Sequence, residues 1–144
     1  MQIRVLLAVA ALTFCVSAAP GAETVWSGLV IANNVTQPTA APKELSKIEQ
    51  TLKDVFGYNQ FQIIGQSTQA LKKGDEDWTA TSKYFSLQVE SKGPSEAGYL
   101  LNLKLLQEQK LLLETEAKLS KRSPLVIKGP VIGDGQLLLV LVVR

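Results

Sequence analysis

Glu114 and Glu116, in Leu113-Glu114-Thr115-Glu116-Ala117, are two carboxylates separated by one residue. On an extended strand that spacing puts both on one face, ~7 Å apart. Carboxylates at such a distance can serve as acid and base in sugar hydrolysis. That chemistry also needs a cleft that desolvates one of them, and the surrounding segments read as a small meander. The pair is therefore read as part of a polar outer face. A second group, Gly74-Asp75-Glu76-Asp77, brings three carboxylates into one turn. A calcium ion takes about six to eight oxygens in ordered geometry, and the spacing of a helix-loop-helix calcium site is absent. This turn is read as a solvated hairpin tip. Trp78 follows it directly. A tryptophan there caps the edge of a core if it is covered and is the candidate partner contact if it is exposed.

The chain has no histidine, which closes the Ser-His-Asp and Cys-His routes, the histidine zinc site and the histidine general base. Its single cysteine, Cys15, lies in the first apolar run. Gly129-Pro130 and Gly133-Asp134-Gly135 match no phosphate-binding loop, and no helical pattern follows them to receive an anion. No catalytic residue, cofactor or metal is expected.

The elements that would position these groups begin after a leader. Arg4 is followed by the apolar run Val5 to Val16 and by small residues at Ser17, Ala18 and Ala19, the layout of a secretory signal peptide. Residues 1–22 are assigned to it, with cleavage somewhere in 18–22, and residues 23–144 to a single domain. Phe14 before Cys15 is too bulky for a lipoprotein junction, so Cys15 is expected to leave with the leader. What remains carries 14 basic and 13 acidic residues. That balance gives no electrostatic case for nucleic acid or an anionic membrane. The remainder also has no run long enough for a transmembrane helix. An exported domain without disulfides stands on its hydrophobic core alone, which favours a bacterial envelope over a eukaryotic secreted scaffold. The triplet Asn34-Val35-Thr36 fits N-glycosylation, which matters only in the second setting.

Within the domain the most informative stretch is the last. Residues 137 to 143 are seven consecutive apolar residues. Alternate strand residues point to opposite faces, so both faces of this segment are apolar. It is read as a central strand with a layer over each side. Residues 24–31 read as a first strand, 33–41 as a loop, and 42–56 as one amphipathic helix with Gly57 just past its end. Leu45, Ile48, Leu52, Val55 and Phe56 form its apolar face, and Glu49–Lys53 form an i,i+4 pair. Tyr58–Thr68 is the next strand, with Gly65 marking a bulge. Strand, helix and strand in this order suggest a βαβ-like opening.

From Tyr84 the alternation is regular. Phe85, Leu87 and Val89 face one way, and so do Tyr99, Leu101, Leu103 and Leu105. A one-residue slip would set apolar residues against polar ones, so parity restricts the pairing of the following two strands. A three-residue loop, Glu108-Gln109-Lys110, keeps parity and sets Leu105 opposite Leu113, Leu101 opposite Ala117 and Lys104 opposite Glu114. The whole is expected to be α+β: one amphipathic helix on a mostly antiparallel sheet of about eight strands, with the C-terminal strand central.

The segments Glu114–Leu119, Pro124–Pro130 and Gly135–Val140, together with Val55-Phe56-Gly57-Tyr58 and Phe61–Ile64, resemble the ends of uncharacterised exported bacterial β-rich proteins. Their rhythm is similar to the strand-turn-strand endings of secretins, the outer-membrane secretion pores, although Gly129-Pro130 stands where a glycine pair is usual. The resemblance covers most of the domain and carries over no family function and no catalytic residue; its secretin-like ending points only to association with a secretion or outer-membrane assembly. The expected function is a non-catalytic exported envelope protein, an interaction or scaffold module with a protein partner and an oligomeric state left open. The alternative is a carrier holding a small apolar ligand between helix and sheet.

Overall fold

The structure, a computed structural model, describes residues 23–144; the expected leader and its cleavage site lie outside the described residues. The chain is β-rich and antiparallel with one α-helix. Its strands are β1 (Glu23–Asn33), β2 (Gln60–Leu71), β3 (Asp77–Thr81), β4 (Phe85–Ser95), β5 (Gly98–Gln107), β6 (Lys110–Ser120), β7 (Leu125–Ile132) and β8 (Gly135–Val143). They are divided between two four-stranded sheets, ordered β2-β1-β8-β7 and β3-β4-β5-β6. This corrects the expectation of a single sheet. The chain leaves the first sheet after β2, builds the whole second sheet, and returns at β7.

Two separate cores make three layers. Between the sheets lie Val25, Leu29, Leu137, Leu139 and Leu141 from the first sheet and Leu87, Leu101, Leu103 and Leu105 from the second. On the other side of the first sheet, Trp26, Val30, Phe61, Leu138 and Val140 pack against Leu45 and Leu52. β8 lies between β1 and β7, and Leu137 to Leu141 are each 0 % exposed. Its apolar run is accounted for by this position: residues 137–141 meet no water, and only Val142 and Val143 at its end are partly exposed. The second sheet has one wet face, and β4 and β5 alternate accordingly.

The expected helix over 42–56 is shorter. Pro42 starts a 3-10 turn at Lys43–Leu45, and the α-helix proper, α1, runs Glu49–Phe56. The Ser46 hydroxyl donates to the Lys43 carbonyl at 2.9 Å, and Ile48 has φ −117° and ψ 5°, outside the helical region. The end falls as expected: Gly57 takes φ 79° and its N–H closes on the Lys53 carbonyl. The Glu49–Lys53 ion pair forms at 3.2 Å. Val55, placed by periodicity on the apolar face, is 65 % exposed.

The βαβ-like opening is also corrected, since β1 and β2 are antiparallel neighbours. Asn59 brings the chain back to the end of β1 it left. Its N–H donates to the Asn33 carbonyl at 3.2 Å and its side-chain amide to the Val35 carbonyl at 3.0 Å, while its Oδ1 accepts the Val35 N–H at 2.9 Å. β2 therefore starts opposite Asn33 and runs back along β1. The bulge expected near Gly65 is present: Leu29 pairs with Gly65 and Val30 with Ile63, leaving Ile64 extra.

The register of β5 and β6 is the expected one, with Leu105 opposite Leu113, Leu103 opposite Thr115, Leu101 opposite Ala117 and Lys104 opposite Glu114. The loop that delivers it differs. Gln107 pairs with Lys110 across a two-residue turn, and an extra residue, Leu112, restores parity. The turn from β4 to β5 is Glu96-Ala97, with Ser95 opposite Gly98. Ala97 has φ 109°, a conformation that costs a residue bearing a Cβ. Ala97→Gly should therefore stabilise the domain by roughly 1 kcal/mol, read as a higher urea midpoint at unchanged slope.

Candidate functional site

The second sheet presents its polar face to solvent in two cross-strand rows. Asp77, Glu90, Asn102 and Glu116 lie side by side across β3, β4, β5 and β6, and Thr79, Gln88, Lys104 and Glu114 form the next row. A shallow depression of about 340 Å³ lies over these rows at Asp77, Thr79, Gln88, Glu90, Asn102 and Lys104. The pair singled out for acid–base chemistry is on this face. Glu114 lies 4.0 Å from Lys104 and accepts the Asn102 amide at 3.2 Å, and Glu116 lies 3.4 Å from Lys92. Their side chains are 46 % and 55 % exposed. Each is solvated and beside its own cation, on an open face and not in the desolvating cleft that acid–base work on a sugar needs.

The three carboxylates of residues 75–77 do not converge. Glu76 folds back on its own loop and accepts the N–H groups of Lys72 at 2.7 Å, Lys73 at 3.0 Å and Gly74 at 2.9 Å. These bonds, that of Lys73 foremost, hold its carboxyl below the ordinary value of 4.5. Asp77 already belongs to β3. The segment is a crossing from one sheet to the other, not the hairpin tip expected. Among the described residues no group of three or more histidines, cysteines or carboxylates is placed to hold a metal.

Trp78 is 7 % exposed and lies in the core between the sheets. Its indole N–H donates to the Ser27 hydroxyl at 2.8 Å, joining β3 to β1. The exposure that a contact role required is not met, and the alternation Asp77-Trp78-Thr79-Ala80-Thr81 turns Trp78 and Ala80 inward.

At one end of the sandwich Glu23, Tyr99 and Lys121 meet. The Tyr99 hydroxyl donates to Glu23, whose Oε1 is 3.2 Å from the Lys121 ammonium. The hydroxyl, and behind it Lys121, hold Glu23 below 4.5 against the opposing effect of burial. Burial first, and then Glu23, push the Tyr99 phenol up to about 12. The arrangement fastens the start of β1 to the second sheet. A carboxylate held low contributes stability above its unfolded value and loses it as pH falls through the folded one. The domain should therefore weaken below pH 4.5, and the double change Glu23→Gln with Glu76→Gln should flatten that loss. At the alkaline end the sign is opposite for a raised phenol. Stability is full below the ordinary 10 and falls from there towards 12, and Tyr99→Phe should remove that fall. Urea midpoints across the pH range read both.

The four sheet edges are unequal. β2 approaches the end of β3 so closely that a Cβ at Gly65 would collide with the Thr81 carbonyl, which closes that side of the sandwich. β3 itself is only five residues long. β7 is broken by a bulge at Gly129-Pro130, where proline has no N–H to offer. Gln136, 1 % exposed, fixes that bulge by donating to the carbonyls of Gly129 at 2.6 Å and Pro130 at 3.3 Å. β6 is the least protected: its own bulge, at Leu112, lies near one end, and among the described residues no further strand pairs with it. It is eleven residues long, ends the second sheet, and contains neither proline nor glycine. Edge position is a property of topology, and in the sequence β6 looks like any alternating strand. Among the described residues no helix is long and apolar enough to cross a membrane.

No protein-family model matches this chain, and neither a curated protein nor a solved structure proved similar to it.

Proposed function

We propose that this protein is a non-catalytic module of the bacterial envelope that works by binding protein through the free edge of β6. The observation that carries this reading is the contrast between that edge and the other three. An unprotected row of backbone donors and acceptors is a template for another strand. Export rests on the leader-like first 22 residues, and association with a secretion or outer-membrane assembly on the resemblance of the strand-turn-strand ending. The carrier alternative asks for room between helix and sheet. Trp26, Val30, Leu45, Leu52, Phe61 and Leu138 pack against one another there, which favours the edge reading over the carrier.

A photo-crosslinking residue placed at Glu114, on β6, should give discrete protein adducts in cells of the native host. The same residue at Val55, exposed on α1, should give none. Equal labelling from both positions, or no adduct from β6, would overturn the reading. Fractionation of the same cells tests the other half: recovery with the cytoplasm would refute export.

A further inference from the structure

Resting on that edge reading, we infer that the occupant of the β6 edge is β6 of a second copy, paired antiparallel about a two-fold axis at Ala117.

The regular ladder of β6 with β5 runs from Leu113 to Ser120, because Leu112 is bulged out. Self-pairing is confined to that part. Parity is the first constraint. Residues that face each other must lie on the same face of the sheet, so the axis has to pass through a residue. Charge is the second, and it separates the possible axes. With Thr115 on the axis, Glu114 faces Glu116 of the partner subunit, and this happens twice. With Glu116 on the axis, it faces its own copy. With Lys118 on the axis, two lysines meet. With Ala117 on the axis, Glu116 faces the partner's Lys118 on both sides of the dyad, and Glu114 faces the partner's Ser120. Among the axes that pair at least five residues of this ladder, only this one leaves every charged cross-strand pair opposite in sign.

The remaining requirements are met by positions already described. Glu116 and Lys118 lie on the solvated face of the second sheet, and Thr115, Ala117 and Leu119 on the other. Glu116 uses Oε2 towards Lys92 and keeps Oε1 for a second cation. The pairing is isologous, with the same patch used by both copies. It joins two second sheets into one eight-stranded sheet, closes both free edges and cannot grow further. Each copy places residues 114–120 in the contact, so self-association should be of moderate strength, set by main-chain hydrogen bonds and tuned by the charged pairs.

Sedimentation equilibrium of the purified protein should show a monomer–dimer equilibrium. Either single reversal, Glu116→Lys or Lys118→Glu, makes both cross-dyad pairs repulsive and should weaken self-association about tenfold or more. An equimolar mixture of the two variants should dimerise again, because each supplies the charges the other lacks. Recovery on mixing also shows that both variants are folded, independently of any effect at Lys92. A wild-type protein that stays monomeric at the highest soluble concentration overturns the inference. So do reversals that leave the dimer unchanged, and variants that stay monomeric on mixing. If the protein is monomeric but a residue on β6 still crosslinks to a different protein, this inference fails and the proposed function stands. If β6 yields no adduct of any kind, both fail.

Discussion

Leu138→Ala and Leu139→Ala should each lower the unfolding free energy by about 2–5 kcal/mol, the range for deleting a buried leucine side chain. The two are neighbours on one strand and point to opposite faces, Leu138 into the helix-side core and Leu139 into the core between the sheets. In a two-layer fold one of the pair would face water and tolerate the change. Here both are 0 % exposed, so both should be costly. The comparison lies in the second sheet. Leu103→Ala should behave like the β8 changes, and Lys104→Ala, next to it on the wet face, should stay within about 0.5 kcal/mol of wild type. A domain of this size holds about 5–15 kcal/mol in all, so either β8 substitution removes a large part of it. Urea denaturation with unchanged slope is the measurement. A tolerant Leu138 would mean that the layer of Leu45, Leu52 and Phe61 does not cover β8 in solution.

That contrast also explains what the amino-acid pattern could reveal. Apolar residues on both faces of residues 137 to 143 mean a strand covered twice, and β8 is covered twice. Alternation from Phe85 to Leu105 means one wet face, and the second sheet has one. The register of β5 and β6 followed from parity even though the loop length did not, because parity constrains the sum of turn and bulge and not either alone. A two-residue turn with Leu112 bulged satisfies it as well as a three-residue loop. The division into two sheets was hidden for a related reason. An alternating strand reads the same whether its neighbour in sequence pairs with it or crosses to the other sheet. β3 was masked by the acidic residues before it, since Glu76 turns its charge onto its own backbone and leaves only Trp78 and Ala80 to report the strand. The antiparallel return of β2 depends on Asn59 holding Asn33 and Val35, a side-chain staple between residues far apart in the chain and without periodicity. The free edge of β6 could not be read at all, because it is defined by the strand that is not beside it.

Trp78 provides the second large effect, because a core tryptophan and a contact tryptophan fail differently. Trp78→Ala should cost about 3–5 kcal/mol, as expected for emptying an aromatic site in a packed interior. Trp78→Phe keeps a ring in that space and removes the indole N–H, leaving the buried Ser27 hydroxyl without its partner. Ser27→Ala does the converse and leaves the indole N–H orphaned, at about 1–3 kcal/mol. The double change Trp78→Phe with Ser27→Ala removes both partners, so it should cost less than the sum of the single changes, and the difference measures the bond between the sheets. A tryptophan serving as a binding residue would give the opposite pattern. Unfolding midpoints would be unmoved by Trp78→Ala, adducts at the β6 edge would be lost, and Ser27 would show no coupling. β3 is short and ends its sheet, so its attachment to β1 through this one side chain helps to hold the two sheets in register. Weakening it should loosen the β2–β3 side of the sandwich before the helix-side core, which is built from β1, β2, β8 and the helical segment without any residue of β3.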